Sequence, residues 1–185
     1  MKTIMRLAAA LLIVAAPFPA FSQHLSGDVT GGGSFSGTVT SAGAWVQANP
    51  VDGTEVNFWT LTGNAGDLLS IIVSSSQLEF GVSVYQGVVE PLELLIPGFA
   101  NDGDFGDNVF VAGTPSFGAA GTSLLNITLP FAGIYTIAVG GEGFGFESSY
   151  AYNMDVAVAP VPLPAAVWLL GSALLGMGAL RRRAV

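Results

Sequence analysis

The five basic residues of this chain all lie near its two ends, and each group adjoins an apolar stretch. Lys2 and Arg6 precede one apolar run, and Arg181, Arg182 and Arg183 follow another. The segment between them, residues 23–159, contains all thirteen acidic residues and no Lys or Arg, which gives it a formal charge of −13. The chain therefore divides into two short apolar ends with basic flanks and an acidic central part, whose 137 residues suit one folded domain.

Residues 1–22 have the pattern of a secretory signal peptide. A basic start leads into an apolar run of about ten residues, and two prolines then end the helix. Ala20 and Ser22 put small side chains at the −3 and −1 positions for cleavage by signal peptidase before Gln23. Ten residues are too few to cross about 30 Å of hydrocarbon. The pattern therefore favours cleavage over the alternative, a retained N-terminal anchor.

The second apolar run, residues 165–180, contains no charged residue. As a helix it is roughly 24 Å long, a slightly short membrane span. Arg181, Arg182 and Arg183 follow it and act as a membrane stop, which places the C-terminus in the cytoplasm by the positive-inside rule. We predict a transmembrane helix that holds the central part outside the cytoplasm.

The residues before this run, Val161, Pro162, Leu163 and Pro164, form a Pro-x-Pro motif that keeps the chain extended. Motif, glycine-bearing apolar helix and arginine cluster occur in the order of the PEP-CTERM sorting signal, which the last 25 or so residues resemble. Leu163 stands where the commonest form carries Glu. The resemblance implies processing by an exosortase, a membrane transpeptidase, in an exopolysaccharide-producing Gram-negative bacterium. The alternative is a plain single-span anchor that is never cut.

The central part has the composition of a β-protein. Short apolar runs alternate with Gly-, Asn- and Asp-rich turns, and the chain has no Cys for a disulfide. Four of the predicted strands are 55–62, 68–74, 81–86 and 134–140. We predict an all-β, jelly-roll-like β-sandwich of about eight strands, flanked by a signal helix and a transmembrane helix. The expected divisions are a signal peptide at 1–22, a Gly/Ser-rich arm and first strand at 23–48, the sandwich at 49–159 and the sorting signal at 160–185.

Two predicted strands alternate clearly between apolar and other residues. In one, Tyr150, Tyr152, Met154, Val156 and Val158 form the apolar face. In the other, residues 124–129, we expect Leu125, Ile127 and Leu129 to share one face and Leu124 to lie on the opposite face with Asn126 and Thr128.

The order of short motifs in the central part resembles the bacterial pre-peptidase C-terminal (PPC) domain. The motifs are 57–61 (Asn-Phe-Trp-Thr-Leu), 65–67 (Ala-Gly-Asp), 71–73 (Ile-Ile-Val), 82–85 (Val-Ser-Val-Tyr), the acidic 102–104 loop, 132–140 (Ala-Gly-Ile-Tyr-Thr-Ile-Ala-Val-Gly) and a closing Tyr150-x-Tyr152 strand. The resemblance implies a small jelly-roll sandwich that serves as a non-catalytic binding or spacer module.

The only cluster with metal-ligand chemistry is a Gly-containing loop at 101–108. Its oxygen-bearing side chains are Asn101, Asp102, Asp104, Asp107 and Asn108. Ca²⁺ takes six to eight hard oxygen ligands, which such a loop offers, although the EF-hand pattern is absent. A weak Ca²⁺ site is one interpretation, and a solvated acidic turn is the other.

Catalysis is hard to build from this sequence. The only histidine, His24, adjoins the predicted cleavage point, and the mature chain has no Lys for a Ser-Lys dyad and no Cys nucleophile. Paired carboxylates, Glu90 with Glu93 or Glu142 with Glu147, leave a glycoside hydrolase as a remote alternative. The aromatic residues Trp45, Trp59, Phe144, Phe146, Tyr150 and Tyr152 suit either the core or stacking on sugars.

We therefore expect no enzyme but an exported protein of the cell surface or extracellular matrix, which begins as an inner-membrane-anchored precursor. The expected partners are signal peptidase, exosortase, the membrane and an exopolysaccharide. The acidic charge excludes nucleic acid. The alternative is a Ca²⁺-dependent carbohydrate- or protein-binding module.

Overall fold

The computed structural model describes residues 25–47, 55–89, 101–114, 123–160 and 172. These residues form nine strands: β1 (Leu25–Asp28), β2 (Gly33–Val39), β3 (Val56–Gly63), β4 (Leu68–Ser74), β5 (Glu79–Gln86), β6 (Val109–Gly113), β7 (Ser123–Thr128), β8 (Gly133–Glu142) and β9 (Tyr150–Ala159). A single helical turn, α1, covers Ala44–Gln47. The prediction of an all-β domain is confirmed, and the four strand ranges given above agree with the structure to within two residues.

None of the residues that the structure describes belongs to a helix long and apolar enough to cross a membrane. The predicted signal peptide lies outside the described residues. The predicted transmembrane helix and the sorting motif also lie outside the described residues, except for Ser172 of the predicted helix, whose backbone is helical.

The nine strands form two sheets. Sheet A has the order β1-β3-β8-β5-β6, and sheet B has the order β2-β9-β4-β7. Neighbouring strands are antiparallel except β1, which runs parallel to β3. In chain order, every connection between successive strands passes from one sheet to the other except the one from β5 to β6, which stays in sheet A. The fold is therefore a sandwich, as the turn spacing predicts. The Gly/Ser-rich arm contributes β1 and β2, each at the edge of a sheet.

The main core lies between the two sheets. Sheet A contributes inward side chains such as Leu61, Val82 and Ile137, and sheet B contributes Ile71 and Met154, all essentially without solvent exposure. Each such side chain stabilises the fold by about 1.5–3 kcal/mol relative to its exposed state. The alternation predicted for 150–158 is confirmed, since the apolar set faces this core.

The outer face of sheet A is also covered. Central strands β3, β5 and β8 are buried along nearly their whole length on both faces. A second cluster, which includes Trp45, Phe58, Tyr85 and Phe105, fills this outer face. The Trp45 indole packs against two cross-strand glycines: a Cβ atom at Gly81 would overlap it, and one at Gly140 would meet it at 3.0 Å. Among the described residues, sheet A is thus covered on both faces, whereas the outer face of sheet B is exposed.

The predicted faces of β7 are wrong in its first half. Leu124 is buried, whereas Leu125 is 56% exposed. The register against β4 changes here, because Leu69 pairs with Ile127 but Ile71 pairs with Leu124. Asn126 takes a positive φ of 56°, and its N–H donates to the Ser70 hydroxyl at 3.0 Å. This β-bulge inserts one residue and reverses the alternation on its N-terminal side.

Candidate functional site

The acidic loop at 101–108 is anchored to the outer face of sheet A. Phe105 is buried and meets the Tyr85 ring edge-on, with centroids 4.7 Å apart. The Asn101 side-chain amide donates to the Trp45 carbonyl at 2.5 Å, and the Asn101 carbonyl accepts from the Ser83 hydroxyl at 2.6 Å. The loop therefore closes over the second core cluster, and its position is set by apolar packing and by these two hydrogen bonds.

Several of the predicted metal ligands take part in the structure of the loop itself. Asp104 Oδ1 accepts from the Phe110 N–H at 2.7 Å. Phe105 and Asn108 exchange backbone hydrogen bonds of 3.1 and 2.9 Å around Gly106, whose φ is 54°. The Asn108 side chain is buried against Gly87. The buried asparagines and one oxygen of Asp104 thus have structural roles that the sequence did not reveal.

The other two acidic residues of the loop, Asp102 and Asp107, are exposed. Within the described ranges, no three His, Cys, Asp or Glu side chains come together as a group that could hold a metal. A Ca²⁺ ion at this loop would need amide and backbone oxygens and water beside the carboxylates. Ca²⁺ binding here stays a prediction.

The structure pairs Glu142 with Glu79 and not with Glu147, the partner that a glycoside hydrolase would need in the sequence-based alternative. Glu142 lies directly opposite Glu79 across β5 and β8, while Glu147 lies in an exposed loop. Burial raises the pKa of Glu142, and the nearby Glu79 carboxylate raises that pKa further. Glu90 and Glu93 lie outside the described residues. Two like charges in direct cross-strand contact weaken the sheet locally.

Sequence reasoning did not find a concave feature at sheet B, which we call the polar groove. It has a volume of about 420 Å³ and lies where β2 and β9 pass the turn between β4 and β5. The groove is lined by residues of three segments: 36–38 (Ser-Gly-Thr), 75–77 (Ser-Ser-Gln) and 151–153 (Ala-Tyr-Asn). No lining residue carries a charge, although the central part is strongly acidic.

The walls of the polar groove are held by side chains of the β4–β5 turn. The Ser75 hydroxyl donates to the Ala151 carbonyl at 2.7 Å, and Gln77 Oε1 accepts from the Ala151 N–H at 2.5 Å. β4 ends at Ser74, so it offers no backbone partner to Ala151 of β9, and these two side chains take up the Ala151 C=O and N–H groups instead. By contrast, no residue of the described part hydrogen-bonds the exposed side chains of Ser36, Thr38 and Asn153. The groove therefore has a hydrogen-bonded backbone frame and polar groups that are open to a ligand.

A short loop at 143–149, which we call the Phe loop, adjoins the polar groove. It carries Phe144 and Phe146, both fully exposed. The loop contacts two residues that adjoin groove segments in the chain: Glu147 N–H donates to the Tyr150 hydroxyl at 2.8 Å, and Gly143 lies beside Leu78. The core alternative therefore fails for Phe144 and Phe146, whereas it holds for the other aromatic candidates, which are buried: Trp45, Trp59, Tyr150 and Tyr152.

No protein-family model and no curated protein sequence matches the chain. Solved structures that resemble it include PliG of Aeromonas hydrophila, a periplasmic inhibitor of g-type lysozyme. It is 16% identical, with a TM-score of 0.39, and the match covers 71% of this chain and 95% of that one. CorA of Methylomicrobium album BG8, a surface-associated copper-binding protein, is 14% identical, with a TM-score of 0.48 and coverage of 74% and 98%.

A third similar structure is the pre-peptidase C-terminal domain of collagenase from Bacillus anthracis. It is 10% identical, with a TM-score of 0.36, and the match covers 72% of this chain and 96% of that one. This is a domain of the kind that the sequence motifs resemble. At these identities and TM-scores we infer nothing about activity from any of the three.

Proposed function

We propose that the chain is an exported, non-catalytic protein of the cell surface or extracellular matrix, sorted by an exosortase in an exopolysaccharide-producing Gram-negative bacterium. One observation carries the proposal: Pro162-x-Pro164, an uncharged apolar run and three arginines follow one another at the C-terminus. An N-terminal signal pattern at the other end supports export.

The folded part supports a module rather than an enzyme. Trp45, Trp59 and Tyr152 pack the two cores, and Asn101 and Asp104 hold a loop. The side chains that the sequence offers for chemistry are thus largely occupied by structural contacts. Stability comes from this apolar packing, since the chain has no Cys for a disulfide.

The sorting step is tested by intact-mass measurement of the chain from its native host and from the same host lacking exosortase. We expect the mass of everything after about Pro164 to be lost only when the enzyme is present. The Pro162→Ala/Pro164→Ala variant should keep its C-terminus. The matched variant Leu163→Glu, which restores the commonest motif, should still be cut. An intact C-terminus on the wild-type chain in a host with working exosortase would leave a membrane-anchored sandwich and refute sorting.

A further inference from the structure

The polar groove offers a neutral set of hydrogen-bonding groups. Ser36, Thr38 and Asn153 present hydroxyl and amide groups along neighbouring strands, with Ser36 directly opposite Asn153 and Thr38 directly opposite Ala151. Hydroxyls and amides both donate and accept, so they match ligands whose own hydroxyls do the same. The volume of about 420 Å³ lies within the range of small-molecule sites and suits one or two sugar rings.

The charge of the chain decides which hydroxyl-rich ligands can approach. Residues 23–159 carry thirteen acidic and no basic residues, which repels polyuronates and other anionic polymers. The groove has no cation that would offset this repulsion, since all of its lining side chains are neutral. Among polysaccharides, an anionic one is therefore disfavoured at this groove, and a neutral one meets no such repulsion.

The Phe loop adds the second element that sugar binding uses. Phe144 and Phe146 are fully exposed on a loop whose backbone is tied to Tyr150, the residue next to the groove-lining Ala151. Exposed aromatic rings present flat apolar faces, which pack against the C–H faces of pyranose rings. Gly145 also packs on Tyr150, where a Cβ atom would overlap the hydroxyl, so the tip of the loop has a defined position.

We propose that the polar groove and the Phe loop together bind a neutral polysaccharide, with hydroxyls of the chain in the groove and sugar rings stacked on Phe144 and Phe146. The site rests on these residues alone. It goes beyond the proposed sorting and stands whether or not the C-terminus is cut.

The test is native gel electrophoresis of the full chain in gels that contain hydroxyethylcellulose, dextran or galactomannan, with alginate as the anionic counterpart. We expect retardation by at least one neutral polymer and none by alginate. Phe144→Ala/Phe146→Ala should weaken the apparent affinity about fivefold or more, in line with the loss of two stacking contacts. Ser36→Ala/Asn153→Ala should also weaken it, because it removes groups that make no hydrogen bond within the described chain.

Two exposed residues away from the groove provide matched controls. Phe131 lies just before β8, and the Phe loop lies after it, so ten residues or roughly 30 Å of strand separate them. Phe131→Ala and Thr128→Ala should bind like the wild type. All variants replace exposed side chains, and circular dichroism verifies that they fold.

The proposal is overturned if none of the three neutral polymers retards the chain, if alginate retards it more strongly, or if the groove and loop variants bind like the controls. A protein partner captured through the Phe loop without any polysaccharide retardation would overturn it as well. These readouts do not involve the C-terminus, so failure here is distinct from failure of sorting.

Discussion

The indole N–H of Trp59 in sheet A donates a hydrogen bond of 2.9 Å to the hydroxyl of Tyr152 in sheet B. The same hydroxyl donates to Asn57 Oδ1, also at 2.9 Å. All three side chains are buried, so each polar atom finds its partner inside the sandwich rather than in water. The chain thus joins its two sheets by one tyrosine hydroxyl that both accepts and donates.

Removal of the Tyr152 hydroxyl should lower the free energy of unfolding more than removal of a hydroxyl near the surface does. Tyr152→Phe leaves the Trp59 N–H and the Asn57 oxygen without their partner in the core, and we expect the free energy of unfolding to fall by about 2 kcal/mol. Tyr150→Phe is the control, since its hydroxyl accepts from Glu147 N–H in an exposed loop, and it should cost about 1 kcal/mol or less. Urea unfolding measures both. If both variants lost the same free energy of unfolding, the hydrogen bonds of Tyr152 between the sheets would contribute no more to stability than one bond in an exposed loop.

Gly81, which packs against the Trp45 indole, should not tolerate replacement by a residue with a side chain. In Gly81→Ala the new methyl group would overlap the indole, and displacement of a fully buried Trp from a filled layer costs about 2–3 kcal/mol. Gly143→Ala is the matched control, because its Cβ would meet only Leu78 at 3.8 Å, an ordinary contact. Thermal unfolding should show a lower melting temperature for the first variant and little change for the second. A stable Gly81→Ala would mean that Trp45 does not lie on this face.

The Glu79–Glu142 pair should make stability depend on pH. Because burial and Glu79 raise the pKa of Glu142, the folded chain binds this proton more tightly than the unfolded chain does. Protonation of Glu142 therefore favours the folded chain at low pH, and this contribution to stability is lost as pH rises from the ordinary glutamate pKa through the raised one. Glu142→Gln removes the repulsion, so we expect it to stabilise the fold by about 0.5 kcal/mol at pH 7 and by less at pH 4.

Unfolding of this variant at both pH values measures the effect, and Glu147→Gln in the exposed loop is its control. If Glu142→Gln stabilised the chain equally at pH 4 and pH 7, the gain would not come from the carboxylate charge.

Local patterns in the sequence predict the fold where each strand has one buried face. The strand at 150–158 follows this rule, since its alternate residues face the core and solvent. The rule fails at Leu124 and Leu125, because a bulge depends on the partner strand and leaves no mark on apolar alternation. The rule also does not predict that β3, β5 and β8 are buried on both faces. That burial arises because α1 and the acidic loop cover the outer face of sheet A.

The sequence reveals the acidic loop but not the polar groove, for a physical reason. Acidic residues close together in the sequence are visible as a cluster, and the structure then shows that Asn101 and Asn108 face inward. The groove joins segments 36–38, 75–77 and 151–153, which are far apart in the chain and meet through the pairing of β9 with β2 on one side and with β4 on the other. Their Ser, Thr and Asn residues are common on any exposed strand, so no signal singles them out.

The predicted Ca²⁺ site at the acidic loop has a measurable consequence. Exposed Asp102 and Asp107 flank Asp104, which already bonds to the Phe110 N–H, so we expect only a weak site of the extracellular kind with a Kd of about 1 mM. Binding to the folded state alone would then stabilise it by about 1.4 kcal/mol at roughly 10 mM Ca²⁺. Thermal unfolding in CaCl₂ should show this gain. MgCl₂ at the same ionic strength should give less, because Mg²⁺ demands stricter geometry and holds its waters.

The matched variants separate a bound ion from general screening of an acidic chain. Asp102→Asn/Asp107→Asn should abolish the Ca²⁺-dependent gain, since it removes two of the three exposed carboxylates of the loop. Asp155→Asn, on the open face of sheet B where Asp155 accepts from the Ser34 hydroxyl, should keep the gain. If Ca²⁺ and Mg²⁺ stabilised the wild type and both variants alike, the ions would act by screening the acidic surface. The loop would then be a solvated turn that Phe105 fixes to sheet A.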